Sequence, residues 1–126
     1  MVVLDTSTLL YWTLDPAQLS IKANQSIDQA DQILISSISI WEIALKVKRG
    51  RLVIPITITD YTERLQTVET LEIRPVDVQN WLDNIDLPWE HRDPADRTIV
   101  ALAASLDCPL ITSDQVIADY YPKAMW

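Results

Sequence analysis

Four acidic residues, Asp5, Glu42, Asp96 and Asp114, stand where a carboxylate can do chemistry. Asp5 follows the apolar run Val2-Val3-Leu4 and precedes Thr6-Ser7, so it falls where a strand ends and a helix begins; Asp114 repeats the situation after Leu110-Ile111-Thr112. Glu42 lies four residues after Ile38 and three before Leu45, and Asp96 three before Ile99 and seven before Ala103. Helical spacing turns both toward apolar faces, where an ionised carboxylate is costly unless something pairs with it. Carboxylates gathered at one point repel one another, and a hard divalent cation with oxygen ligands, Mg²⁺ or Mn²⁺, resolves that repulsion. A centre of this kind activates water for attack on a phosphodiester. The chain has no Gly-rich phosphate loop, Cys-His pair or Gly-x-Ser-x-Gly elbow, so P-loop nucleotide binding and acyl transfer have no residues to carry them.

Each acid also has a plainer reading. Asp5 suits a helix N-cap. Glu42 completes a capping box with Ser39 if its helix starts late, or an i,i+4 pair with Lys46. In the stretch His91-Arg92-Asp93-Pro94-Ala95-Asp96-Arg97, Asp93 is the N-cap and Pro94 the first helical residue, which leaves Asp96 as the metal candidate. His91 is the only histidine, which excludes a multi-histidine metal site, and reads as a loop or surface residue.

The elements that must position these residues alternate. Strands are expected at 2–4, 33–35, 71–76 and 109–112, with a short edge strand at 123–126. Helices follow Asp5, Ser20, Ser36-Ser37, Thr59 or Asp60, Asp77, Asp93 and Ser113-Asp114. Asp15-Pro16 and Gly50 end two of them, and residues 51–56 read as an extended connector because Pro55 would interrupt a central strand. Such alternation implies a parallel sheet covered on both faces, with every strand-to-helix turn on one edge. All four acids fall along that edge, where open α/β sheets bind their ligands.

At 126 residues and 48% hydrophobic, with one glycine and no linker or repeat, the chain fits a single domain over 1–126. The lone Cys108 excludes an internal disulfide and suits a reducing compartment. No signal peptide pattern opens the chain, and no segment approaches the roughly 20 apolar residues of a membrane span; a soluble cytoplasmic protein is expected. Ten basic residues against eighteen acidic give a net charge of −8, the wrong sign for bulk attraction to nucleic acid. Lys46, Lys48, Arg49 and Arg51 nevertheless cluster within six positions. They are either a solvated helix end or a local basic strip beside an acidic pocket.

Val3-Leu4-Asp5-Thr6, the run from Ser37 through Trp41-Glu42 to Lys46, His91 through Asp96-Arg97, and Leu110-Ile111-Thr112-Ser113-Asp114 resemble, in order and spacing, the PIN-domain ribonucleases, and in particular the toxin component of VapBC-type toxin-antitoxin pairs. The resemblance covers nearly the whole chain. It implies a three-layer α/β/α PIN-like fold with a central parallel sheet of four to five strands and a metal-dependent endoribonuclease. Asp5, Glu42, Asp96 and Asp114 match the acidic quartet, with Asp5, Asp96 and Asp114 as metal ligands, and Thr112 matches the hydroxyl beside them; Thr6 adds a second supporting hydroxyl. It also implies a small cognate antitoxin and a homodimer. RNA would be met by Lys46, Lys48, Arg49, Arg51, Arg92 or Arg97 and cut to leave a 5′-phosphate and a 3′-hydroxyl. Two departures stand out: Ser7, where many relatives have histidine, and Ala95, where they have phenylalanine. Two other readings remain, a non-catalytic PIN-like interaction module and a receiver-type signalling domain. The latter would need a lysine at the end of a late strand, where this chain has Asp114.

Overall fold

The computed structural model describes every residue from Met1 to Trp126. Strands β1 (Val2–Leu4), β2 (Ile33–Ser36), β3 (Leu71–Arg74), β4 (Leu110–Ile111) and β5 (Ala124–Met125) form one sheet in the order β3-β2-β1-β4-β5. Every neighbouring pair is parallel. The register sets Val3 opposite both Leu34 and Leu110, a row on one face, while Val2 opposite Ile33 and Leu4 opposite Ile111 lie on the other. Because both faces are apolar, the central strands read as continuous hydrophobic runs and are buried throughout.

The helices are α1 (Thr6–Leu14), α2 (Ile21–Asp28), α3 (Ser37–Lys48), α4 (Ile58–Gln66), α5 (Val78–Asp86), α6 (Pro94–Ser105) and α7 (Gln115–Tyr120). The Val3 row packs under α6 and α7 through Ile99, Val100, Ala103 and Ile117. The opposite face packs under α1, α2, α3 and α4 through Leu9, Ile27, Ile43, Tyr61 and Leu65. The result is a three-layer α/β/α arrangement, with α5 lying along α6. Ala95 is buried in the α6-side core and Ser7 is exposed. No helix is long and apolar enough to cross a membrane.

All seven α-helices begin at a residue whose side chain accepts a bond from a backbone N–H of the first turn: Asp5, Ser20, Ser36, Thr57, Asp77, Asp93 and Asp114. Thr57, rather than Thr59 or Asp60, caps α4. The earlier start lets Ile56 before the cap and Tyr61 in the next turn join the same apolar cluster, the pattern of a hydrophobic staple. The third strand stops at Arg74, before Pro75, and not at Val76. Because α3 begins at Ser37, Ser39 lies inside its first turn and makes no capping box with Glu42.

The strand order reverses between β1 and β4, so the crevice outside the carboxyl ends of these two strands is the switch point of the sheet. Asp5 closes one of them and Thr112 the other. The order also differs from the 2-1-3-4-5 of receiver domains, which removes the signalling alternative.

Candidate functional site

Asp5 is held first by its own helix: the Thr8 amide donates to Oδ1 at 2.8 Å. Its other oxygen accepts the Thr112 hydroxyl from across the switch point, and the Thr112 Oγ in turn accepts the Asp114 amide at 3.0 Å. Thr112 therefore joins Asp5 to Asp114, and Thr8, which donates to the Ile111 carbonyl at 2.9 Å, ties α1 to β4 beneath them. Asp5 is only 5% exposed. Burial pushes its carboxyl above the ordinary range against the bonds from Thr112 and Thr8, and the Asp114 charge adds to the rise. Asp114, half-buried, caps α7 through Oδ1 on the Val116 amide at 2.9 Å.

Glu42 reaches this edge from the first turns of α3. Its Oε1 accepts the hydroxyl of Thr6, the first residue of α1. A hydroxyl has one proton to give, so buried Ser39, 2.9 Å away, donates to the Thr6 oxygen in turn. Burial raises the Glu42 pKa; the Thr6 bond and the Lys46 charge oppose this, while the charges of Asp93 and Asp96 add to it. Asp96 stands in the first turn of α6, and its Oδ2 lies 2.8 Å from His91 Nε2. Burial again raises its pKa, countered by the bond to His91 and reinforced by Asp93 and Asp114. The charges of the four acids are thus felt in a chain, Asp114 at Asp5 and at Asp96, and Asp96 at Glu42, across four helices.

Two residues gain a place that the sequence did not give them. His91 is in a loop, as expected, but its ring is against Asp96 rather than free at the surface. No periodicity signals a contact between a loop residue and a helical residue five positions on. Asp93 caps α6 through the Asp96 amide at 2.9 Å, and as a fifth negative charge it also acts on Glu42 and Asp96.

The basic residues divide. Lys46, Arg49 and Arg51 line a depression of about 130 Å³ together with Trp41, Glu42 and Leu45, whereas Lys48 lies outside it. Arg97 is a correction. Its Nε donates to Asn84 Oδ1, Nη1 to the carbonyls of Trp89 and His91, and Nη2 to those of Asn84 and Leu87. All five of its N–H groups are engaged, which leaves none for a phosphate.

The donor chemistry fits a hard divalent cation. The site offers carboxylate oxygens, and Glu42 Oε2, Asp96 Oδ1 and Asp114 Oδ2 take no part in these bonds. No three side chains converge tightly enough to enclose a cation as they stand.

Raised carboxyl pKa values make stability fall with pH. Below the unfolded pKa of about 4 both states are protonated and no penalty applies. As the pH rises toward the higher folded value the unfolded chain releases its protons first, so the folded state is progressively disfavoured and remains so above it. The melting temperature is therefore expected to rise as the pH is lowered from 7 toward the unfolded value of about 4. Mn²⁺ at pH 7 should raise it as well. A flat pH profile in this window, unchanged by Mn²⁺, would contradict the electrostatic account.

A family model described as the PIN domain matches residues 2–122. Ribonuclease VapC22 of Mycobacterium tuberculosis is 29% identical over 99% of this chain and 98% of its own length. Among solved structures, a toxin-antitoxin complex from Klebsiella pneumoniae superposes with a TM-score of 0.69 at 19% identity, covering 100% of this chain and 97% of that one. FitAcB from Neisseria gonorrhoeae gives 0.66 at 18% identity, over 98% of this chain and 95% of its counterpart. With the parallel sheet, the three layers and the acids at the switch point already in place, the match over residues 2–122 establishes that the chain belongs to the PIN-domain family.

Proposed function

We propose that this PIN-domain chain is a metal-dependent endoribonuclease and the toxin of a type II toxin-antitoxin pair. The observation that carries the reading is geometric: Thr112 joins Asp5 to Asp114 at the switch point, Thr6 beside Asp5 holds Glu42, and Asp96 stands in the first turn of α6. The full-length likeness to a protein named as a ribonuclease supports RNA as the substrate. The structural likeness to a toxin-antitoxin complex supports the partner.

Asp5, Asp96 and Asp114 would hold Mg²⁺ or Mn²⁺. When bound, the cation supplies charge neutralisation at the scissile phosphate and lowers the pKa of a nearby water. The chain's own groups do the rest. Thr112 keeps Asp5 and Asp114 in fixed relation, and Thr6 fixes Glu42, whose raised proton affinity suits it to complete the site or to hold the attacking water by a hydrogen bond. In-line attack on phosphorus leaves a 5′-phosphate and a 3′-hydroxyl. Lys46, Arg49 and Arg51, gathered in the depression beside Glu42, give an otherwise acidic protein its local attraction for the RNA backbone, with Lys48 as a more distant contributor. RNA binding should accordingly weaken steeply with salt.

A net charge of −8 suits a small basic antitoxin, and a homodimer in the cytoplasm completes the reading. The test is an RNase assay with and without EDTA, with the cleaved ends mapped. Cleavage is expected only with Mg²⁺ or Mn²⁺, yielding 5′-phosphate ends. EDTA-resistant cleavage, or 2′,3′-cyclic phosphate ends, would overturn the mechanism. Absence of cleavage under every metal condition would favour the non-catalytic interaction module.

A further inference from the structure

The loop between α5 and α6 is held more firmly than a connection between two helices requires, and its restraints converge on His91. The Arg97 guanidinium takes the carbonyls of Trp89 and His91, which pins the backbone on both sides of Glu90. The Trp89 ring lies against the His91 ring, with centroids 4.7 Å apart, and stacks on Tyr120 of α7 at 4.6 Å with the planes only 8° from parallel. The imidazole is three-quarters buried, and its Nε2 lies 2.8 Å from Asp96 Oδ2. An ionised carboxylate can only accept, so Nε2–H is the donor.

We infer that His91 is a positioning residue for the metal centre: clamped by Trp89 and Arg97, it fixes the orientation of the Asp96 carboxylate and leaves Oδ1 unbonded by the chain. The inference rests on the metal-dependent reading proposed above. Asp96 follows Asp93 and Pro94 in the first turn of α6 and is bonded at its side chain by no residue other than His91. Without that bond the carboxylate is free to rotate under the repulsion of Asp93 and Asp114. Asp5, by contrast, has both oxygens fixed by Thr8 and Thr112, so this one acid takes its orientation from a loop. Groups that hydrogen-bond to a metal-ligating side chain typically contribute about 10- to 100-fold in metal affinity.

The test is a Mn²⁺ titration at fixed pH, followed by the electron paramagnetic resonance of free Mn²⁺, on wild type, His91→Ala and His91→Gln, with melting curves without metal to verify folding. His91→Ala should bind Mn²⁺ at least about tenfold more weakly. His91→Gln, whose amide N–H can reach the same oxygen, should recover most of the affinity. In RNA cleavage at limiting Mn²⁺ the alanine variant should lose kcat with little change in KM for RNA, and saturating Mn²⁺ should restore it. Wild-type Mn²⁺ affinity in His91→Ala, or a glutamine variant as weak as the alanine one, would overturn the inference alone. Absence of Mn²⁺ binding by the wild type would overturn the metal-dependent reading as well.

Discussion

Asp96→Asn is expected to reduce RNA cleavage by about 10³-fold, equivalent to about 4 kcal/mol of lost transition-state stabilisation. The change removes one negative charge and alters no volume. The α6 cap is made by the Asp93 side chain and the Asp96 backbone amide, neither of which is touched. An asparagine oxygen can still accept from His91 Nε2, so the loop keeps its anchor. Because burial and the neighbouring acids already disfavour the ionised carboxylate, the neutral variant should melt at or slightly above the wild-type temperature in the absence of metal. The stabilisation by Mn²⁺ should largely disappear. Cleavage within tenfold of wild type, with folding intact, would remove Asp96 from the mechanism. Loss of cleavage together with unfolding would instead mark it as structural.

Arg97→Ala should produce the largest loss of stability of any single change on this face, about 3 kcal/mol, or about 10 °C in melting temperature for a domain of this size. Hydrogen bonds to a charged donor contribute about 1.5–3 kcal/mol each when measured singly, but bonds from one guanidinium are not additive. The substitution leaves four carbonyls, those of Asn84, Leu87, Trp89 and His91, without their donor. The same turn of α5 contains buried Asn84, which donates to Thr98 Oγ1 at 2.9 Å and to the Pro94 carbonyl at 3.3 Å, so the seam between α5 and α6 is polar and its parts depend on one another. Arg97→Lys should recover only a fraction, because an ammonium has three donors and lacks the planar fork that reaches several carbonyls at once. A melting temperature within about 2 °C of wild type for Arg97→Ala would show that water replaces the guanidinium without cost.

Arg97 also illustrates where a sequence stops being informative. A basic residue directly after a candidate acid is as well placed for a phosphate as for a carbonyl, and composition does not separate the two. Only the path of residues 84–91, folded back over the first turn of α6, decides it. The same holds for His91, whose partner is five residues on, inside the next helix, and for Ser39, which local pattern offered as a cap if its helix started late and long-range packing sets against Thr6, 33 residues earlier. At Thr57 the local rule was sound but the position was not, because the burial of Ile56 and Tyr61 chose among adjacent candidates for the cap.

By itself the sequence determined what depends on short-range periodicity and chain direction: five strand segments alternating with helices, both faces of the sheet apolar, and acids at the carboxyl ends of β1 and β4 and on the inward sides of α3 and α6. These follow because side-chain direction repeats every two residues in a strand and every 3.6 in a helix, and because right-handed crossovers send every strand-to-helix turn to one edge. Tertiary structure alone decided strand order, and hence that β1 and β4 flank the switch point with Thr112 joining Asp5 to Asp114. It also decided which polar groups satisfy which. Hydrogen bonds such as Thr6 to Glu42 and Thr112 to Asp5 link residues 36 and 107 positions apart. Their formation depends on where whole elements come to rest, a property of packing that no window of sequence contains.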